Sequence, residues 1–274
     1  MTTVVSLAPV PSKDRFGSRP ASFQLRMYFT ETKYELIKQL RIPAFMIPTI
    51  GFPIMFYVLF GLVMQSGRPS AHRIATYLLA TYGAFGVIGI SLFALGVGVA
   101  VERGQGWLAV KRASPMPVAA YFVAKYVTTV IIGLFLMLLI SAVGAIFGHV
   151  RMPAGRWTAL IAAECFGAMP FCALGLAIGY IAGPNSAAPV VNILYLPMAF
   201  LSGLFIPTEM LPASLQAFAP LLPPYHLGRL ALDAVGAAPA SEAWGHVLAL
   251  LGFLILFTIV AFIAYRRDEG KTYG

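Results

Sequence analysis

The chain has 274 residues, 59% of them hydrophobic and only 11% charged, with a formal net charge of +9. An ordinary soluble domain carries about 25% charged residues, so this composition excludes a soluble enzyme, and it assigns the positive charge to a membrane surface rather than to a nucleic acid. Apolar runs of the roughly 20 residues needed to cross a bilayer recur, and ten-residue strand alternation is absent, so the predicted fold class is all-α integral membrane and not a barrel.

Residues 1–21 hold Pro9, Pro11, Pro20, Lys13, Arg15 and Arg19 without apolar periodicity and are expected to form a disordered tail. The apolar patch within it precedes the basic residues and contains proline, unlike a secretory signal. The stretch 22–40, SFQLRMYFTETKYELIKQL, predicts an interfacial amphipathic helix with Ser22 as candidate cap. At about 100° per residue, Phe23, Met27, Tyr34 and Ile37 share one side, and Leu25, Phe29, Leu36 and Leu40 the nearly opposite one. Arg26 and Lys33 separate them on one flank, Glu31, Glu35 and Lys38 on the other. A helix lying on a membrane needs one apolar stripe. The second offers a contact to a partner protein, or simply leaves a few apolar groups exposed.

Six spans follow. The first covers residues 42–67, with Pro48 and Pro53 near its start, and the second, 74–101, is rich in glycine, which permits close helix approach. The third covers 126–148 and the fourth 157–182. Gly183, Pro184, Asn185 and Ser186 break the uncharged run, and a fifth span covers 187–205. A proline-rich outer region, 206–245, contains two short amphipathic stretches, and a sixth span, 246–265, ends in Arg266 and Arg267. An even number of spans puts both termini on one side. Of the 19 Lys and Arg residues, only Arg68, Arg73, Arg151, Arg156 and Arg229 fall on the other, so both termini are expected in the cytoplasm.

Chemistry is sparse. No segment outside the apolar runs approaches the roughly 100 residues of a catalytic domain. Gly270, Lys271 and Thr272 spell the end of a phosphate-binding loop, but Tyr265 replaces its first glycine and an apolar run precedes it. His72, His149, His226 and His246 lack ligand spacing, and Cys165 and Cys172 lie about 10.5 Å apart along one helix, too far to bridge. No cofactor or metal is expected on this chain. Glu164 is the one ionisable residue well inside an apolar run; it either serves substrate or proton handling or is a hydrogen-bonded structural group. The polar, basic interruption 102–125, ERGQGWLAVKRASPMPVAAYFVAK, falls between the second and third spans on the cytoplasmic side.

An amphipathic helix ahead of the first span, six spans, a basic inner loop and a proline-rich outer region resemble the permeases of type-2 ABC exporters. The run RIPAFMIPTIGFPIMFYVLFG, residues 41–61, looks like that family's approach to its first span. FLSGLFIPTEMLPASLQAFAPLLPPYHLGRLAL, residues 200–232, is similar to its outer re-entrant region, and the likeness extends over 22–267. The resemblance implies a multi-pass protein of the bacterial inner membrane in which two permease copies, as a homodimer or heterodimer, meet two ATPase subunits that bind ATP and Mg. It implies a connecting helix at 22–41 and an ATPase-coupling element at 102–117, carried by Glu102, Arg103, Trp107, Lys111, Arg112 and Pro115, although the basic groups also follow from topology alone. It implies a substrate path lined by Phe85, Phe93, Asn192, Tyr195 and Met198, closed outside by Leu204 and Phe205, for an amphipathic drug-like or lipid-like cargo in contact with membrane lipids. Export of a polysaccharide or lipid-linked glycan is an alternative. A channel or secondary transporter is another, though no broken-helix repeat supports it.

Overall fold

The computed structural model describes residues 21–113, 116–238 and 243–271, and the regular structure among them is all helical. Helix α1 is Ala21–Leu40. Helix α2, Pro43–Phe56, contains Pro48 and Pro53 and continues to Val63 with the wider hydrogen bonding of a π-helix. Helix α3, Ala71–Ser91, widens in the same way over Leu92–Val97 before α4, Gly98–Gly104. The others are α5 Trp107–Ala113, α6 Val118–Ile146, α7 Ala154–Ile181, α8 Ala187–Leu201, α9 Ala213–Phe218, α10 Pro223–Ala234 and α11 Ala243–Lys271.

Five stretches are long and apolar enough to cross a membrane: Pro43–Val63, Ala71–Gly104, Ala119–Ile146, Ala154–Ile181 and Ala243–Asp268. The expected span at 187–205 is shorter in the structure. Helix α8 has 15 residues, about 22 Å at 1.5 Å per residue against a bilayer core of about 30 Å. It stops because Gly203 takes a φ of 84°, a left-handed conformation that turns the chain back. Helix α6, conversely, begins eight residues before the expected 126. Pro117 precedes its first turn with extended backbone, and nothing between it and Tyr126 interrupts the helix. Lys125 is thereby drawn inside the helix.

Helices α3 and α7 form the buried centre, and α2, α6 and α11 surround them with largely exposed outer faces. The central contact depends on α7's GLAIG run. A Cβ on Gly175 would stand 2.9 Å from the Ser91 carbonyl oxygen, and one on Gly179 2.8 Å from that of Leu95. Only glycine lets α7 lie directly on the widened turn of α3. Helix α10 buries Leu227, Gly228, Ala231 and Leu232 against α3, α7 and α11. The α4–α5 turn and the C-terminal ends of α7 and α11 meet at one end of the bundle. The α2–α3 turn, the α6–α7 connection and the segment after α8 meet at the other.

Candidate functional site

At the first end, four charged side chains from three helices interlock. Lys125 of α6, only 1% exposed, donates to Glu35 Oε1 of α1 at 2.7 Å and to Glu102 Oε1 of α4 at 2.6 Å. Lys38 donates to Glu35 Oε2 at 2.8 Å and also pairs with Glu102, and the Tyr121 hydroxyl donates to Glu102 Oε2 at 2.7 Å. A buried charge persists only when paired and hydrogen-bonded; two cations and two anions meet that condition here. Burial pushes the Glu35 carboxyl up, but Lys125 and Lys38 outweigh it and leave it below its usual value. Burial likewise pushes Lys38 down, and Glu102 and Glu35 more than reverse this.

The cluster sets the orientation of α1. Glu31, Thr32, Glu35 and Gln39, at helical spacing, turn toward the bundle, while Leu25, Phe29 and Leu40 of the apolar sides are exposed. The acidic flank of the sequence pattern is thus the face that packs, because α6 and α5 meet it with lysines.

Glu102 and Arg103 belong to the last turn of α4 rather than to the following short helix. Arg103 bonds to Asp268 of α11 at 3.1 Å and donates to the Gly179 carbonyl at 2.6 Å, one of the last four carbonyls of α7. Gln105 and Gly106, the latter with φ of 75°, turn the chain into α5. On α5, Lys111 pairs with Glu31 and stands 4.7 Å from the Tyr121 ring centroid, Leu108 is buried, and Trp107 and Val110 are more than half exposed on one face. Arg112 lies in α5, and Pro115 lies outside the described residues. The α4–α5 hairpin is therefore tied by side chains to α1, α6, α7 and α11, with an apolar pair left facing outward.

Farther along, α2, α3 and α8 line a partly open cavity of about 330 Å3 that includes Phe45, Phe52, Phe85, Phe93, Asn192 and Tyr195. Tyr195 stacks on Phe85 at 4.7 Å and donates to the Phe85 carbonyl at 2.6 Å, with Gly89 leaving room for the hydroxyl. Four of the five expected path residues share this space. Met198 does not line it; its carbonyl accepts the Ser202 hydroxyl. Phe205 packs on Phe85 at 4.7 Å, Phe200 at 4.5 Å and Phe56 at 5.8 Å, and lines a second cavity on the other side. Phe56 and Leu196 line both. Leu204 is fully buried, packed against α10 at Gly228. An aromatic wall thus separates two cavities, and the contribution of Phe56 was not legible in the chain's pattern of apolar residues.

Glu164 is fully buried in α7 beside Gly83 and Met137, and its carboxyl oxygens find no hydrogen-bond partner among the described residues. It lines neither cavity. Sequence reasoning passed over Lys125, Glu35 and Lys38 as members of a site. The available signal was a lysine at the edge of an apolar run, with acids four residues apart on a nearby helix.

A family profile described as ABC-2 type transporter matches residues 27–235. The chain is also 30% identical over 235 residues to YvfS of Bacillus subtilis (strain 168), a transport permease by name, across 86% of this chain and 95% of that protein.

Proposed function

Since the chain belongs to the ABC-2 type transporter family, we propose that it is the permease subunit of an ATP-driven exporter that moves an amphipathic, lipid-like or drug-like molecule out of the cytoplasm. In this reading α8 and the turn after it form the short fifth of six crossings, α10 is a re-entrant outer helix, and both termini face the cytoplasm of a bacterial cell. A second copy, in a homodimer or with a sister chain, covers the exposed face of α8 that carries Ile193, Leu196 and Phe200. Two separate ATPase subunits hold the ATP and Mg.

The observation that carries the reading is the placement of Trp107 and Val110. They form an exposed apolar pair on a short helix whose base is bonded to four other helices. A partner gripping that pair moves a rigid junction, and through α3 the wall of the inner cavity. The apolar, aromatic lining of that cavity suits an amphipathic cargo better than a sugar or an ion.

Purification of the tagged chain in mild detergent from its native cell is expected to recover two nucleotide-binding subunits with two permeases. Trp107→Ala with Val110→Ala is expected to abolish transport while leaving the membrane fold intact. Recovery of the chain without any ATPase, under conditions that preserve other such complexes, would overturn the proposal.

A further inference from the structure

The second cavity, about 1220 Å3, opens at the end of the bundle opposite α5. It exceeds the roughly 300–1,000 Å3 of most small-molecule sites. Its body is apolar, with Phe60, Tyr82, Phe200 and Met210 in the wall, and its rim carries Arg68, Arg73, Arg151 and Arg156. Among the described residues no carboxylate lines it.

This distribution is unusual on two counts. Positive residues are disfavoured on the face away from the cytoplasm, which is where the topology proposed above puts this end. Yet four of the five that occur there collect around one opening, contributed by the α2–α3 turn, the start of α3, the α6–α7 connection and the start of α7. The fifth, Arg229, lies outside the cavity and faces Glu209 at 3.5 Å. Arg156 is also positioned rather than left to drift. It donates to the Val235 carbonyl at 3.1 Å and lies across Gly236, whose φ is 75° and where any Cβ would collide with the guanidinium. Guanidinium groups bind phosphate, sulfate and carboxylate with several donors at once.

We propose that this cavity binds an anionic amphiphile, its acyl or other apolar part against the aromatic wall and its anionic head among Arg68, Arg73, Arg151 and Arg156. The proposal narrows the cargo class of the export reading and takes from it which face is outer, but the binding itself depends on neither ATP nor direction.

The permease with its ATPase, in a neutral detergent and without ATP, is titrated with lyso-phosphatidylglycerol or lyso-phosphatidylcholine of equal chain length, and bound lipid is counted by native mass spectrometry. The anionic lipid is expected to bind at least about tenfold more tightly, the worth of a single charge-assisted hydrogen bond. Arg73→Gln with Arg151→Gln, both exposed in the structure, removes the preference. Arg73→Lys with Arg151→Lys keeps most of it, and Arg229→Gln leaves it unchanged. Inorganic phosphate does not displace the lipid.

Equal affinity for the two lipids overturns the proposal, as does a preference that survives the double Gln variant. Complete displacement by phosphate would mean a simple anion site and overturn the amphiphile. Each of these leaves the exporter reading standing, since that falls only if no ATPase accompanies the chain.

Discussion

Replacing Lys125 by methionine removes one cation and keeps the length and apolar stem of the side chain. In the native structure its ammonium is 1% exposed and makes bonds of 2.6 and 2.7 Å to two carboxylates that are themselves 11% and 3% exposed. Hydrogen bonds to a charged group contribute about 1.5–3 kcal/mol each. Breaking a buried pair by removing one partner costs about 3–5 kcal/mol, because the remaining charge is left uncompensated. Here Glu35 and Glu102 would face one another with only the partly exposed Lys38 between them. At about 2–4 °C per kcal/mol for a domain of this size, Lys125→Met should lower the midpoint of thermal unfolding in detergent by about 6–20 °C. Helix α1 should loosen first, so trypsin should cut at Lys33 or Lys38 well before the rest of the chain. The variant Glu35→Gln, Glu102→Gln, Lys125→Met should recover most of the loss, since it removes the three buried members of the ionic group and leaves only Lys38, whose side chain is 42% exposed and can reach water. A single variant that melts within about 1 °C of the native chain, or a triple variant no better than the single, would refute the account of the cluster as the fastening of α1.

Gly175→Val puts two methyl groups where 2.9 Å separates a Cβ from the Ser91 carbonyl oxygen, so α7 must withdraw from α3; a loss of more than about 3 kcal/mol is expected, read as failure to form a monodisperse complex in detergent. Tyr195→Phe removes the hydroxyl bonded to the Phe85 carbonyl and should cost about 1 kcal/mol while leaving transport within severalfold, whereas Tyr195→Ala should open the aromatic wall and alter cargo selectivity. On α10, His226 Nε2 meets the Pro220 carbonyl at 2.9 Å and must donate, so its Nδ1 accepts from His246 Nδ1 at 3.0 Å. Burial pushes His226 down despite the Pro220 carbonyl, so the folded state favours the neutral ring. The unfolded chain then binds more protons as pH falls below about 6.5. The stabilisation from this contact is full above that pH and is lost as pH drops through the lowered value. Melting between pH 7.5 and 5 should show the decline, and His226→Gln should flatten it; an equal slope in the variant would exclude the pair as its source.

The helices were legible because lipid demands them: long apolar runs and their breaks at Arg41, Arg68, Glu102 and Gly183 delimit most of the elements. Their ends were less so, because a helix end is decided by one residue's backbone. Gly203 ended α8 early, and Pro117 let α6 start early, and neither residue type announces that choice. The inward face of α1 was not legible for a physical reason. Hydrophobic periodicity assumes that apolar groups pack and charges face water, and it fails where opposite charges from different helices neutralise one another. Glu35 and Lys125 are 90 positions apart in sequence, and only the fold pairs them. The same reasoning governs the arginines. Sequence counting treated Arg68, Arg73, Arg151 and Arg156 as exceptions to a topological rule, scattered over two connections. In three dimensions they line one opening, and no carboxylate lines it among the described residues. Those two groups of charge occupy opposite ends of the bundle, with Phe93, Phe85, Phe56 and Phe205 between them; one is neutralised within the chain, and the other is the proposed anion site. In the exporter reading, a movement delivered at α5 would reach the inner cavity through α4 and the widened turn of α3, which rests on Gly175 and Gly179 at short range. If the chain exports as proposed, a shift of α3 against α2 is expected to alter the aromatic wall on both sides at once, because Phe56 borders both cavities.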